Sequence, residues 1–433
     1  MKDIGANFIG LSFHFREILA MKFGIELGFQ LPRPWSEESE CELYESRLKI
    51  AELADQLGFD SIWVEEHHFL EEYCHLSSPE VFLAACTQRT KQIRLGFGVM
   101  LLPPMINNPV RSAEKVASID LLAKGRVELG VGSSSDRLGT SAWGVDWERR
   151  QEITEEVLGQ VARMMVEEPY RGYDGVNFSF DARNIIPKPH QKPHPPLWMA
   201  CSHRESILKA ARLGIGALSF GFTDSKTTRQ WVEAYHRTLR RDAIPIGYSI
   251  NPNLSVLSRL ICCSSDSQAR QMQQKVHFWW YSFVHYFGHG SHKPGVTNLW
   301  NNYTKSDYKF EWDTGTIGTP EKIATTLRDY EEAGLDQIVF SVEAGTISHE
   351  EICESLELFA KEVMPEFKTR EEQKTFAEES FNLRLSREVM ARKPDPQAIR
   401  EIPTVVMKDL RPWYSYMGFP LNTDGFPILD EMR

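Results

Sequence analysis

The stretch Lys22-Phe23-Gly24-Ile25-Glu26-Leu27-Gly28-Phe29, taken with residues 37–64, gives the architecture away. It is a short apolar run of strand length. Residues 37–57 then carry a helical spacing through Leu43, Leu48, Ile50, Leu53, Ala54 and Leu57, closed by Gly58. Ser61-Ile62-Trp63-Val64 opens a second apolar run. Strand, helix and strand in that order make one β/α unit, the habit of a parallel sheet.

Beyond this unit, the same alternation predicts further strands at 93–102, 127–131, 197–200, 217–220, 254–262 and 337–342. Helical periods fall at 79–89, 109–123, 147–166, 205–213, 225–241, 266–287, 319–333 and 349–363. Eight strands with helices between them favour an α/β closed (β/α)8 TIM barrel, whose active sites lie in the loops beyond the strand C-termini. Residues 288–318, rich in Gly, Asn, His and Trp, read as an insertion near the barrel mouth, either a lid or a surface loop. The barrel is expected over 21–365, flanked by an N-terminal extension at 1–20 and a charged, proline-broken C-terminal extension at 366–433.

Composition narrows the function classes. A chain of 433 residues with 42% hydrophobic residues can bury a large core. A net charge of -11 and the lack of any basic block disfavour nucleic acid as a partner, because phosphate binding needs clustered cations. Seven scattered cysteines without a CxxC pair read as thiols in a reducing compartment, the cytoplasm. No apolar run is long enough to span a membrane.

Four local signals could carry chemistry. In Ile62-Trp63-Val64-Glu65-Glu66-His67-His68-Phe69 a strand runs into two acids and two histidines. Histidine moves protons near neutral pH and a carboxylate beside it sets its tautomer or basicity, so the segment is either catalytic or a polar loop. The same residues with His75, and separately His285, His289 and His292, offer metal-ligand types, but neither set has a zinc spacing. In 95–104 glycines interrupt a buried strand, which permits close backbone approach or marks a bulge, and Asn107-Asn108-Pro109 comes next as turn and helix start.

The third signal, 125–135, is a strand opening into Gly132-Ser133-Ser134-Ser135, a loop able to hold phosphate or simply to connect. The fourth, 197–206, leads from a strand through Ser202, His203 and Arg204 into a helix N-terminus, which is an anion seat or a plain cap. Weaker is the aromatic run Phe278, Trp279, Trp280, Tyr281, Phe283 and Tyr286, which reads as core or as an apolar wall at the mouth.

Taken in order, the segments GFDSIWVEEHHF, LGFGVMLLPPMINNPVRSAEKVASIDLLAKGRVELGVG, PLWMACSHRES and GTPEKIATTLRDYEEAGLDQIVF resemble the bacterial luciferase-like flavin-dependent monooxygenase family over about 21–367. The resemblance implies reduced FMN, or in some branches reduced deazaflavin, at the mouth of the barrel. It implies His67 as the catalytic candidate with Glu66 as supporting neighbour, and a non-prolyl cis peptide at Gly98-Val99 beneath the ring. Asn108 and Arg150 join Gly98 and Val99 as cofactor-binding candidates, and Ser133, Ser202, His203 and Arg204 would lie near the flavin phosphate. Ser133 and Gln151 stand where many relatives carry arginines, a departure that Arg149, Arg150 or Arg204 could offset.

The implied activity is oxygenation of a small organic substrate by O2, with a separate flavin reductase supplying reduced flavin and a homodimer as the assembly. Two rival readings are a deazaflavin-dependent hydride-transfer oxidoreductase and a non-catalytic flavin-binding partner subunit.

Overall fold

A computed structural model describes residues 21–221, 223–288, 292–310, 315–343 and 345–394, with 404, 416–417 and 420–424. The expected extension at 1–20, most of 395–433, and His289 of the insertion lie outside the described residues.

Eight parallel strands close into a barrel. They are β1 (Lys22–Leu27), β2 (Ser61–Val64), β3 (Arg94–Leu101), β4 (Val127–Gly132), β5 (Leu197–Cys201), β6 (Gly216–Ser219), β7 (Leu254–Arg259) and β8 (Gln337–Ser341), with β8 pairing back on β1. Each coincides with one of the eight expected strands. The helices Ser39–Leu57, Pro79–Arg89, Pro109–Leu122, Arg150–Val166, Arg204–Arg212, Ser225–Asp242, Pro320–Glu332 and His349–Glu362 follow the strands in chain order.

Successive strand residues point to opposite faces. Phe23, Ile25 and Leu27 of β1 therefore join the main core with the helices, whereas Trp63, Trp198, Leu218, Leu257 and Val339 form a separate cluster inside the barrel. The Trp63 and Trp198 rings meet edge-on, 5.5 Å apart. Their indole N–H groups donate to Ser61 Oγ at 2.9 Å and Glu128 Oε2 at 2.7 Å, so the plug leaves neither indole donor unpaired.

Three departures from the periodic reading have physical causes. The expected helix 266–287 breaks at Val276 into Asp266–Lys275 and His277–Phe287. The Lys275 carbonyl accepts from Thr346 N at 3.2 Å, and Trp279 N turns to Val276 O at 3.0 Å instead of continuing the helical ladder. The expected strand 254–262 stops at Arg259, and Ile261–Cys262 pairs instead with Ile317–Gly318 at the end of the insertion. The charged segment after 365 enters the helix Met364–Met390, whose Phe367, Leu385 and Val389 lie in the main core while Lys368 pairs with Asp60 at 2.6 Å.

One buried acid ties the insertion down. Glu72 accepts from Thr297 Oγ1 and Leu299 N at 2.7 Å, Trp300 N at 2.9 Å and Arg33 N at 3.2 Å, which also caps the short helix Leu299–Thr304. Glu72→Ala leaves these donors without their acceptor, so it should cost about 3 kcal/mol in urea unfolding and open 288–318 to proteolysis. A change within about 0.5 kcal/mol would show that the clamp is dispensable.

Candidate active site at the barrel mouth

The alternation that puts Trp63 and Trp198 inside also decides what lines the layer above them, at the strand C-termini. On the β3–β5 side the inward positions are Gly98, Gly132 and Ala200. The Gly98–Val99 peptide is cis, as the sequence resemblance implies. A Cβ on Gly132 would stand 2.5 Å from Val99 Cγ2, and one on Gly98 3.1 Å from Trp63 Cβ. The missing side chains make room for Val99 and Trp63, and this half of the mouth is a shelf of small residues.

The opposite half is charged. Glu26 ends β1, Glu65 and His67 follow β2, Arg259 ends β7, and Ser341 and Glu343 lie at the end of β8. Burial, then the charge of Glu65, pushes Glu26 up to about 7, against the Ser341 hydroxyl and Arg259. Burial likewise pushes Glu343 up to about 8, although it is ion-paired with Arg47.

His67 sits between two carboxylates. Its Nε2 is 3.3 Å from Glu65 Oε2 and its Nδ1 3.8 Å from Asp136 Oδ2. The second separation is an ion-pair distance, and Nδ1 is buried without a hydrogen-bond partner. Burial presses the ring toward its neutral form, but Asp136 and Glu65 outweigh it and push the pKa up to about 10. Asp136 is oriented in turn by Ser134 Oγ at 2.9 Å and by the Gly139 N–H, as cap of the helix Arg137–Ala142. His67 is therefore an imidazolium at neutral pH, suited to give a proton or stabilise a negative charge.

Asp136→Asn removes one of those charges. It should bring the His67 titration down by about one pH unit or more, followed by NMR of ring-labelled histidine. An unmoved titration would show that Glu65 alone holds the charge.

Aromatic rings cover His67. Tyr73 and Phe287 each lie 5.7 Å from it between ring centroids, and Trp279, Phe283 and Phe287 stack along one face of His277–Phe287 at 5.2 and 4.9 Å. Of the aromatic run noted in the sequence, Phe278 and Tyr286 are buried in the main core, while Trp279 and Phe283 are only partly buried. Trp279 and Phe283 lie beside Tyr73, at 5.9 and 6.5 Å between ring centroids.

The family description luciferase-like monooxygenase matches residues 21–337. The chain belongs to that family. It is 24% identical to the alkanal monooxygenase alpha chain of Photorhabdus laumondii, over 81% of this chain and 99% of that one. It is 23% identical to the oxygenase component of the flavin-dependent trigonelline monooxygenase of Acinetobacter baylyi, over 78% and 93%. The oxygenating constituent of 3,6-diketocamphane monooxygenase from the CAM plasmid of Pseudomonas putida, solved with FMN, shares the fold with a TM-score of 0.64 at 19% identity, over 80% and 99%.

As a luciferase-like monooxygenase the chain is a flavin-dependent oxidoreductase, and the candidate site residues fall in distinct places. Glu66 points away from His67. Its carboxylate accepts from Leu101 N at 2.8 Å and Asn107 Nδ2 at 2.9 Å and meets His68 Nε2 at 3.1 Å, fastening the loop after β2 to the end of β3. Glu65 is the neighbour that reaches His67. Asn108 caps Pro109–Leu122 through its Oδ1, which leaves its amide nitrogen uncommitted among the described residues.

Ser133, at the end of β4, lies beside Ser134, whose carbonyl accepts from Arg150 Nε at 3.3 Å. Ser202, His203 and Arg204 are exposed at the end of the adjacent β5, where Ser206 Oγ takes up the Ser202 and His203 N–H groups at 3.2 and 3.3 Å. Ser133 and Ser202 thus follow the neighbouring strands β4 and β5, while Arg150 and Arg204 open the helices Arg150–Val166 and Arg204–Arg212, Arg204 pairing with Glu205 at 3.3 Å.

Asp136, Tyr73, Glu26 and Arg259 were not singled out from the sequence. Only the Ser-Asp cap pattern at 134–136 carried a local hint of one of them. His285 and His292 have ring centroids 4.3 Å apart, but among the described residues no three His, Cys, Asp or Glu are grouped to hold a metal ion. Among the described residues no helix is long and apolar enough to cross a membrane.

Proposed function

We propose that this luciferase-like monooxygenase binds reduced FMN across the small-residue shelf and oxygenates a small organic substrate with O2. Its reduced flavin would come from a separate reductase. The observation that carries the reading is one mouth holding both a shelf at Gly98, Val99, Gly132 and Ala200 and a buried His67 ring set between Glu65 and Asp136.

The residues present suit the cofactor: the shelf accepts a planar ring, and Arg150, Arg204, Ser133, Ser202 and His203 would hold the phosphate end. Bound reduced flavin supplies two electrons for the activation of O2, one atom passing to the substrate and the other leaving as water. His67 would hold a proton on its ring nitrogens for the oxygen that becomes negative, with Glu65 and Asp136 keeping it there. The stacked Trp279, Phe283 and Phe287 and the neighbouring Tyr73 would keep water away from that charge.

A homodimer through Pro79–Arg89 and Pro109–Leu122 fits the exposed Val81, Leu121 and Leu122 on those helices. A cytoplasmic location accords with seven free cysteines. The deciding experiment is an anaerobic titration with reduced FMN and, separately, reduced deazaflavin, after which oxygen is admitted. Tight binding of reduced FMN with oxygen-dependent product formation supports the proposal. Preference for deazaflavin without oxygen uptake moves the assignment to hydride transfer, and binding of neither removes the flavin reading.

A further inference from the structure

Arg259 is a buried cation that, among the described residues, makes no ion-pair contact. It is 4% exposed, and among the described residues no carboxylate oxygen lies within 4.0 Å of it. Its Nη1 reaches Ser341 Oγ at 3.2 Å and the Glu343 carbonyl at 3.4 Å, while Nη2 is buried with no hydrogen-bond partner. The two acids that could neutralise it are unsuited to do so. Glu343 is paired with Arg47, and Glu26, whose carboxyl burial pushes up to about 7, stands beyond ion-pair distance of the guanidinium.

An unpaired buried charge costs several kcal/mol, so a site that retains one generally has a partner for it. The direction in which Arg259 points tells which. It is inward on β7, one alternation above Leu257 of the barrel interior, and its guanidinium carbon stands 4.8 Å from the Trp279 ring centroid. Trp279 is 5.9 Å from Tyr73, and Tyr73 is 5.7 Å from His67. Cation, aromatic wall and imidazolium therefore form one continuous lining opposite the small-residue shelf. Arginine also offers two parallel donors to a carboxylate, which a lysine in its place would not.

We infer that Arg259 anchors an anionic group of the substrate, and that the substrate is an aromatic carboxylate or a comparable planar aromatic anion lying along Trp279 and Tyr73 toward His67. The inference rests on the reading of the barrel mouth as the active site. It goes further in naming the substrate class.

The test uses the full chain without flavin and two probes of similar shape, benzoate and benzyl alcohol, in calorimetric titrations. Benzoate should bind one per chain, about tenfold or more tighter than benzyl alcohol, and inorganic phosphate should not displace it. Arg259→Gln should weaken benzoate about tenfold or more while leaving benzyl alcohol unchanged, and Arg259→Lys should fall between. Should Arg259→Gln fail to fold, the comparison of the two probes on the natural chain still decides.

Equal affinity for the two probes, no benzoate binding, displacement by phosphate, or undiminished benzoate binding in a folded Arg259→Gln protein would each overturn the anchor. Reduced FMN titrated into the same samples separates the two readings. Flavin binding without benzoate discrimination counts against the anchor alone, and benzoate discrimination without flavin binding counts against the cofactor alone.

Discussion

His67→Ala lowers turnover about 10²- to 10³-fold while reduced flavin still binds, in the range general acid catalysis contributes. The shelf proposed to receive the ring is made by Gly98, Val99, Gly132 and Ala200 on β3 to β5, and His67, on the loop after the adjoining β2, is not one of its residues. Its removal therefore takes away the proton and the charge but leaves the ring's support.

The pH dependence has a definite sign. Because Asp136 and Glu65 raise the pKa of His67 to about 10, the imidazolium persists through neutral pH and is lost as pH rises through that value. Turnover that depends on the imidazolium should accordingly fall on the alkaline side, and the fall should move to lower pH in Asp136→Asn. Steady-state turnover with a reductase present and equilibrium flavin titration separate the two effects. Unchanged turnover in His67→Ala would take His67 out of the chemistry, and lost flavin binding would make it a cofactor ligand.

Gly96→Ala should cost about 3 kcal/mol of stability or more, at the upper end of what a single added methyl does in a packed core. Its Cβ would fall 2.3 Å from Trp63 Cε3 and 2.6 Å from Cδ2. The indole cannot retreat cheaply, because its Nε1 is bound to Ser61 Oγ and its edge is set against Trp198. Ser61 Oγ in turn receives Gln337 Nε2 at 2.9 Å, so a moving Trp63 disturbs β1, β2 and β8 together.

The control is Gly159→Ala on Arg150–Val166, where a Cβ meets nothing closer than an Ile246 carbon at 3.3 Å and the helix gains propensity. Urea unfolding of the two variants, with the stability of Gly159→Ala unchanged to within about 1 kcal/mol, checks the contrast. A Gly96→Ala protein as stable as its parent would mean that the tryptophan plug is loosely held.

The shape of the mouth explains which of its residues could be read in advance. His67 and Ser133 follow the ends of β2 and β4, where a change from apolar to polar residues marks them locally, whereas Gly98-Val99 lies within β3 and was named through the family resemblance. Glu66 shows where that local reading misleads. It adjoins His67 in the chain, yet the two-residue alternation turns it outward to Leu101 N and Asn107, and it is Glu65, two residues from His67, that shares its face.

The break at Val276 has the same origin as Glu72's hold on 297–300. Both depend on a hydrogen bond to a distant segment, Thr346 in one case and Glu72 in the other, which no periodicity records.

The number and order of the barrel strands and of most of their helices were legible in the chain alone. They follow from side-chain alternation and helical spacing, which are properties of neighbours along the backbone. Folding in three dimensions was needed to set Asp136 beside His67, to lay Arg259 over Trp279 without a carboxylate, and to bury Glu26 and Glu343 near them. These groups come from the ends of β1, β2, β4, β7 and β8 and from a helix beyond β7. Their meeting depends on the closure of the barrel, which brings strand ends far apart in the chain around one space and removes their charges from water.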